Sequence, residues 1–211
     1  ALDLQAVPMT EDVVAPDGEA IKAAIVKLQA CIPLGATDLQ AGLRRSMTGL
    51  AKATTAAQGA GYIGDGISRA NLMIGEDYTN LVKDLTANKV SVSSLAVGRE
   101  QNVQLLAAIA NLTGGMVQMD NGAEGVADQA GKVMAKIAEG TVIWPNSVSF
   151  SKGMTDVLPK GGAPLRLDRD TIVLGKISGN GTQDISLKAD VNGKEMELKW
   201  TVRPEATSDD F

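Results

Sequence analysis

The sequence has no histidine and only one cysteine, Cys31. Without histidine there is no Ser-His-Asp or Cys-His catalysis and no His-ligated zinc site. A single cysteine cannot close a disulfide within the chain. On the apolar side of an expected helix, Cys31 reads as a small buried hydrophobe. Aromatics make up only 3% of the residues, so aliphatic side chains and alanine must build the core. No run of about 18 apolar residues occurs, so no transmembrane segment is expected. Excess positive charge is missing too: 20 Lys and Arg stand against 25 Asp and Glu, a net charge of −5. That balance argues against nucleic acid or an anionic membrane surface as partner. There is no initiating methionine and no signal peptide. The chain reads as an excised piece whose N-terminus does not report its compartment.

What is present suits one large domain, or a domain with a small annex: 211 residues, 44% hydrophobic and 21% charged. Leu2–Val7 alternates apolar and polar residues and predicts a strand. Asp17 is placed to cap a helix carrying Ile21, Ala24, Ile25, Leu28 and Ile32 at helical spacing, ended by Pro33. Thr37 opens a second helix with Leu39, Leu43, Met47 and Leu50 along one face, and Thr37 with Gln40 spells a capping box. A short apolar stretch over Gly59–Gly64 reads as a weak strand. A helix over Glu76–Asn88, a clear strand over Val90–Val97 and a helix over Asn102–Leu112, closed by Gly114, follow. Met116–Met119 is a further strand and Ala123–Ala138 a further helix. Strands alternating with helices predict an α/β fold with a mostly parallel, Rossmann-like sheet covered on both faces.

The pattern changes after Gly140. Thr141–Phe150 has strand character, Met154–Leu165 is rich in Pro and Gly, and Thr171–Ile177 is a strand. Gln183–Asp190 and Lys194–Val202 are two more, joined at Asn192-Gly193, a strong short hairpin signal. In the last strand Met196, Leu198, Trp200 and Val202 share one face, which predicts a half-buried antiparallel unit. The expected division is an α/β domain over 1–138, an antiparallel β unit over 139–204 and a flexible tail over 205–211.

Four blocks carry a resemblance: Pro33-Leu-Gly-Ala-Thr-Asp-Leu39, Ile63-Gly-Asp-Gly66, Val90-Ser-Val-Ser-Ser-Leu-Ala-Val-Gly98 and Leu105-Leu-Ala-Ala-Ile-Ala-Asn-Leu-Thr-Gly-Gly115. In order and spacing they resemble a von Willebrand factor type A domain over roughly residues 1–138. Leu158-Pro159 with Leu165–Gly175 resembles, more loosely, the segment after that domain in inter-alpha-trypsin inhibitor heavy chain-like proteins. The resemblance implies a non-enzymatic adhesion-type module that binds a partner protein through a loop rim, in a secreted or cell-surface setting. In that family a metal-ion-dependent adhesion site holds Mg²⁺ with an Asp-x-Ser-x-Ser loop, a Thr and an Asp. Thr37 and Asp65 match the last two positions. The Asp-x-Ser-x-Ser loop does not occur in this sequence, and Gly64 stands where the family has Thr or Ser. The resemblance places that loop, and the central strand it ends, upstream of Ala1. The sheet is then expected to be completed by the upstream segment of the same protein or by a neighbouring copy.

Each of these residues also has a plainer reading. Thr37 can be a helix N-cap, and Asp65 before Gly66 a turn residue. Gly59-Ala-Gly-Tyr-Ile-Gly64 spells G-x-G-x-x-G, with Asp84 at a ribose-binding distance in sequence. That offers an alternative nucleotide-binding α/β enzyme, although the fingerprint needs a strand before it and a helix opening in it. A third reading is a metal-independent structural scaffold. Asn111-Leu-Thr113 fits a glycosylation acceptor pattern at a helix end.

Overall fold

The strand Val90-Ser-Val-Ser-Ser-Leu-Ala96 (β2) organises the first half of the chain. It is buried on both faces, as a strand inside a parallel sheet must be. In the computed structural model, which describes residues 1–2, 5–32, 36–51, 58–120 and 126–205, β2 lies between Gln58–Gly64 (β1) and Val117–Met119 (β3). Both pairings are parallel; β1 runs alongside β2 from Gln58↔Val90 to Gly64↔Ala96. Val90, Val92 and Ala96 point into one core with Leu39 and Leu43 of helix Leu39–Leu50 (α2). Leu81 and Leu85 of Glu76–Ala87 (α3), with Leu106 and Ile109 of Val103–Thr113 (α4), complete it. On the other face Met134 of Val126–Glu139 (α5) comes within 3.9 Å of where a Cβ on Gly61 would sit. The expected α/β fold with a parallel sheet flanked by helices is therefore present.

The ends of α4 follow from its sequence. The Asn102 side chain accepts from the Leu105 amide, and Gly114 takes the left-handed conformation that closes the helix. Thr113, fully buried, accepts from the Val92 amide at 3.0 Å and donates to the Ile109 carbonyl at 2.8 Å. Its hydroxyl thus ties helix to strand, and the Asn111–Thr113 triplet sits on a helix, not on an exposed loop.

Three expectations are corrected here. Of the strand expected over Leu2–Val7, residues 3 and 4 lie outside the described residues, and Leu2 and residues 5–7 do not join the sheet. Their one pairing among the described residues is the antiparallel bridge Leu2↔Ala6, while Leu2 packs against Gly42 of α2. The first helix (α1) spans Glu19–Gln29 and is capped by Gly18, not Asp17, because it begins one residue later. It has no buried residue, and Cys31 is exposed, not buried; its thiol donates to the Lys27 carbonyl at 3.3 Å. The apolar stripe exists, but it is only partly covered: Ile21 and Ala24 are half-buried, while Ile25, Leu28 and Ile32 stay exposed.

The contacts divide into two units, Ala1–Ala138 and Glu139–Phe211. In the second, Val142–Phe150 (β4), Leu165–Arg166 (β6), Gln183–Val191 (β8) and Lys194–Val202 (β9) form an antiparallel sheet in the order β6-β4-β8-β9. Met154–Leu158 (β5) pairs with Leu174–Ile177 (β7). Ile143, Leu187 and Ala189 centre the core, with Val148, Leu165 and Leu198 packed on it. The β8–β9 turn has positive φ at both Asn192 and Gly193 (51° and 81°), the primed-turn signature. The Arg166 guanidinium, 1% exposed, makes two 2.7 Å hydrogen bonds to the Asp168 carboxylate. That bond holds the Asp168 carboxyl below the usual carboxylate range. The Pro- and Gly-rich stretch Met154–Leu165 carries β5 and the first residue of β6, and the strand expected over Thr171–Ile177 is reduced to β7. The apolar side of β9 is less covered than its half-buried pattern predicts. Met196, Trp200 and Val202 remain 41%, 42% and 39% exposed, because β9 is the edge of its sheet. Among the described residues no helix is long and apolar enough to cross a membrane.

Candidate functional site

The carboxyl ends of β1 and β2 and the start of α2 form one rim in the first unit, where open α/β sheets bind their ligands. Asp65 follows β1 directly. Its Oδ1 accepts from the Ile67 amide at 2.8 Å, and its carbonyl accepts from the Asn102 amide at 2.8 Å. The first bond turns the loop; the second ties it to the start of α4. Gly66 allows this turn: its φ is +74°, and a Cβ there would lie 2.8 Å from Leu106 Cγ.

Thr37 is brought to the same loop by its backbone. Its carbonyl accepts from the Ala70 amide at 3.1 Å and from the Ser68 hydroxyl at 3.3 Å. Ser68, buried, also accepts from the Leu39 amide at 3.1 Å. One hydroxyl therefore links the loop after β1 to the N-terminus of α2. The capping box predicted for Thr37 and Gln40 is not made. Asp38 caps α2 instead, accepting from the Ala41 amide at 2.8 Å, because the helix starts at Leu39. Gln40 accepts from Asn71 at 2.7 Å.

Two residues that nothing in the spacing singled out shape the rim. Ser68 is one. Tyr62 is the other: its hydroxyl accepts from the Gly66 amide at 3.2 Å, and burial, offset in part by that bond, pushes its pKa up. Its ring lies over Gly64, where any Cβ would collide with it. That suits glycine at the position where the resemblance implies Thr or Ser. Arg69 and Glu100 face each other across the rim at 3.9 Å, both exposed.

As a metal centre the donor set is thin. Thr37 is neutral, and Asp65 already commits one carboxylate oxygen to Ile67. No group of three or more His, Cys, Asp or Glu is placed to hold an ion among the described residues. These residues by themselves do not fit a tightly held Mg²⁺, which needs near-octahedral oxygen coordination. The nucleotide fingerprint lacks its context as well. Gly59–Gly64 lies inside β1, and the next helix opens only at Glu76. Asp84 sits within α3 and pairs with Arg44 at 2.6 Å.

From the rim a groove of about 1530 Å³ runs along β1, lined on one side by Gly59–Asp65 and on the other by Val7, Leu28 and Ile32. One edge of β1 is paired to β2; the other pairs with no strand among the described residues. Leu28 and Ile32 are 50% and 75% exposed in this groove, and Ile63 is 68% exposed.

Comparison with protein-family models and with curated proteins finds no match to this sequence. Solved structures do match. A von Willebrand factor type A protein from Catenulispora acidiphila superposes with a TM-score of 0.65 at 13% identity, over 99% of this chain and 57% of that one. The human COPII-coat protein Sec24c superposes with a TM-score of 0.61 at 14% identity, over 93% of this chain and 34% of that one. The chain thus spans little more than half of the first structure and about a third of the second. At such identities the likeness is one of fold, and the fold of this chain is von Willebrand factor type A-like.

Proposed function

We propose that the chain is a protein-interaction module, not an enzyme, which meets a partner protein at its loop rim and whose sheet is completed by a further strand laid along β1. The edge of β1 away from β2, which pairs with no strand among the described residues and opens on an apolar groove that leads to the rim, carries this reading. A bare strand edge presents a row of unpaired amides and carbonyls, a template for another strand. Parallel sheets are otherwise buried within α/β folds. The exposed stripe of α1 faces the same need for cover. The occupant is the segment upstream of Ala1 in the same protein, or a neighbouring copy. Metal-dependent adhesion is the finer form of this reading and requires an Asp-x-Ser-x-Ser loop supplied from that segment.

A second reading, a metal-independent scaffold, is favoured by Asp65 Oδ1 serving the loop itself and by the Tyr62 ring over Gly64. Amide hydrogen exchange tests the first. In this chain alone, the β1 amides that face the groove exchange fast. In the same chain extended upstream along its own coding sequence, they become protected, and Leu28→Glu reverses the protection. Fast exchange at Gln58–Gly64 in the extended chain, and at all concentrations of this one, overturns the proposal.

A further inference from the structure

The second unit holds another open edge, independent of the groove along β1. β9 runs nine residues, paired to β8 from Gln183↔Val202 to Val191↔Lys194 without a bulge. Its outer edge pairs with no strand among the described residues. Edge strands are normally blunted by a bulge, a proline or charge that repels an incoming strand. β9 has neither bulge nor proline, and its charges have a symmetry that does the opposite.

We propose that a second copy of this chain adds to β9 in antiparallel fashion, about a two-fold axis at Leu198. That register pairs all nine residues of the strand. Directly opposed residues then share a face. Leu198 meets its own equivalent, Glu197 meets Lys199 of the other copy and Lys199 its Glu197, and Met196 meets Trp200 in both directions. Opposite charges face each other twice on the polar side. On the apolar side the exposed Met196 and Trp200 cover one another. A centre moved to Glu197 or Lys199 sets that charge against itself, so the pattern selects one register. An isologous contact of this kind closes at two copies, where an uncomplemented edge would keep recruiting strands. It joins two four-stranded sheets into one.

Sedimentation velocity on the 211-residue chain and on charge variants tests this. The chain itself sediments as a dimer in equilibrium with monomer. Glu197→Lys and Lys199→Glu each place like charges opposite one another twice, and each alone dimerises about tenfold or more weakly. Mixed together they form a heterodimer in which both pairs are again opposite in sign, and dimerisation returns. A second measurement does not depend on charge. In a Cys31→Ser background, Glu197→Cys and Lys199→Cys chains cross-link with each other faster than either does with itself. Both positions are exposed, so folding is not at stake. A chain that stays monomeric at every concentration overturns the proposal. So does a dimer indifferent to both charge variants and without the mixed cross-link, which would put the contact elsewhere, the β1 edge included. Failure here leaves the reading of the β1 groove untouched.

Discussion

Thr37 and Asp38 are neighbours with different duties. The sequence pattern Thr-x-x-Gln pointed to Thr37 as the cap of α2, yet the chain starts its helix one residue later and gives the task to Asp38. Asx and hydroxyl side chains cap about equally well, so pattern alone cannot decide between two adjacent candidates. Asp38→Ala is expected to lower stability by about 1 kcal/mol, and Thr37→Ala by much less, in urea unfolding. Equal losses would return the cap to Thr37. Ser68 was illegible for another reason: its hydroxyl gains meaning only when Thr37 and Leu39, 31 and 29 residues away, arrive beside it, whereas Tyr62 reaches the Gly66 amide four residues on through a turn that no periodicity announces. Asp168 is local instead, bonded to a residue two positions away. Its carboxyl is held below the usual range by Arg166, so the stability it contributes is present above its unfolded pKa and is lost as pH falls through its lower folded value. Asp168→Asn leaves a buried guanidinium without its carboxylate and is expected to cost about 1.5–3 kcal/mol at neutral pH. The variant should also lose less stability than the parent on acidification, which unfolding curves at a series of pH values would reveal. Parallel acid limbs would show that another carboxylate governs them.

At the scale of elements, legibility followed how local the determining signal is. β2, α4 with its Asn102 and Gly114 caps, and the Asn192-Gly193 turn were readable because period, caps and turn residues lie within each segment. β6, two residues long, exists only through its pairing with Val142 and Ile143, which no local pattern announces. β5 lies in a stretch rich in Pro and Gly, for which the sequence named no element. α1 shows the limit from the other side. Its periodicity correctly marks an amphipathic helix, but periodicity says which face is apolar, not what covers it, and so Cys31 was misplaced into a core. An element without a buried residue has little packing energy to hold it. In this chain, α1 amides should exchange with far less protection than those of β2 and α4, whose side chains fill the core. Protection of α1 equal to that of α4 would mean that its apolar stripe is already covered in solution.

For the whole molecule, the fold was legible in the order of four short blocks even though the solved structures it resembles are only 13% and 14% identical. The blocks include features that the α/β architecture itself needs, such as the strand buried on both faces and the glycine at a positive-φ turn. The metal chemistry does not follow from the same blocks, because coordination needs every ligand at once. Mg²⁺ holds its waters strongly and yields them only to a set of well-placed oxygens. Of the two positions matched to the metal site, one is a carboxylate, Asp65, half engaged by the Ile67 amide, and the other a neutral hydroxyl, Thr37. One carboxylate and one hydroxyl, reachable by water, compete poorly with the ion's own hydration shell. We therefore expect that this chain alone binds neither Mg²⁺ nor Mn²⁺ tightly, and that calorimetric titration shows no saturable heat at micromolar ion. Tight binding abolished by Asp65→Ala would show the rim to be sufficient. Tight binding that survives Asp65→Ala would place the ion elsewhere in the molecule. If an upstream segment that carries Asp-x-Ser-x-Ser is joined to the chain, affinity should appear and depend on both Asp65 and Thr37. Its absence in that longer protein would favour the scaffold over the adhesion module.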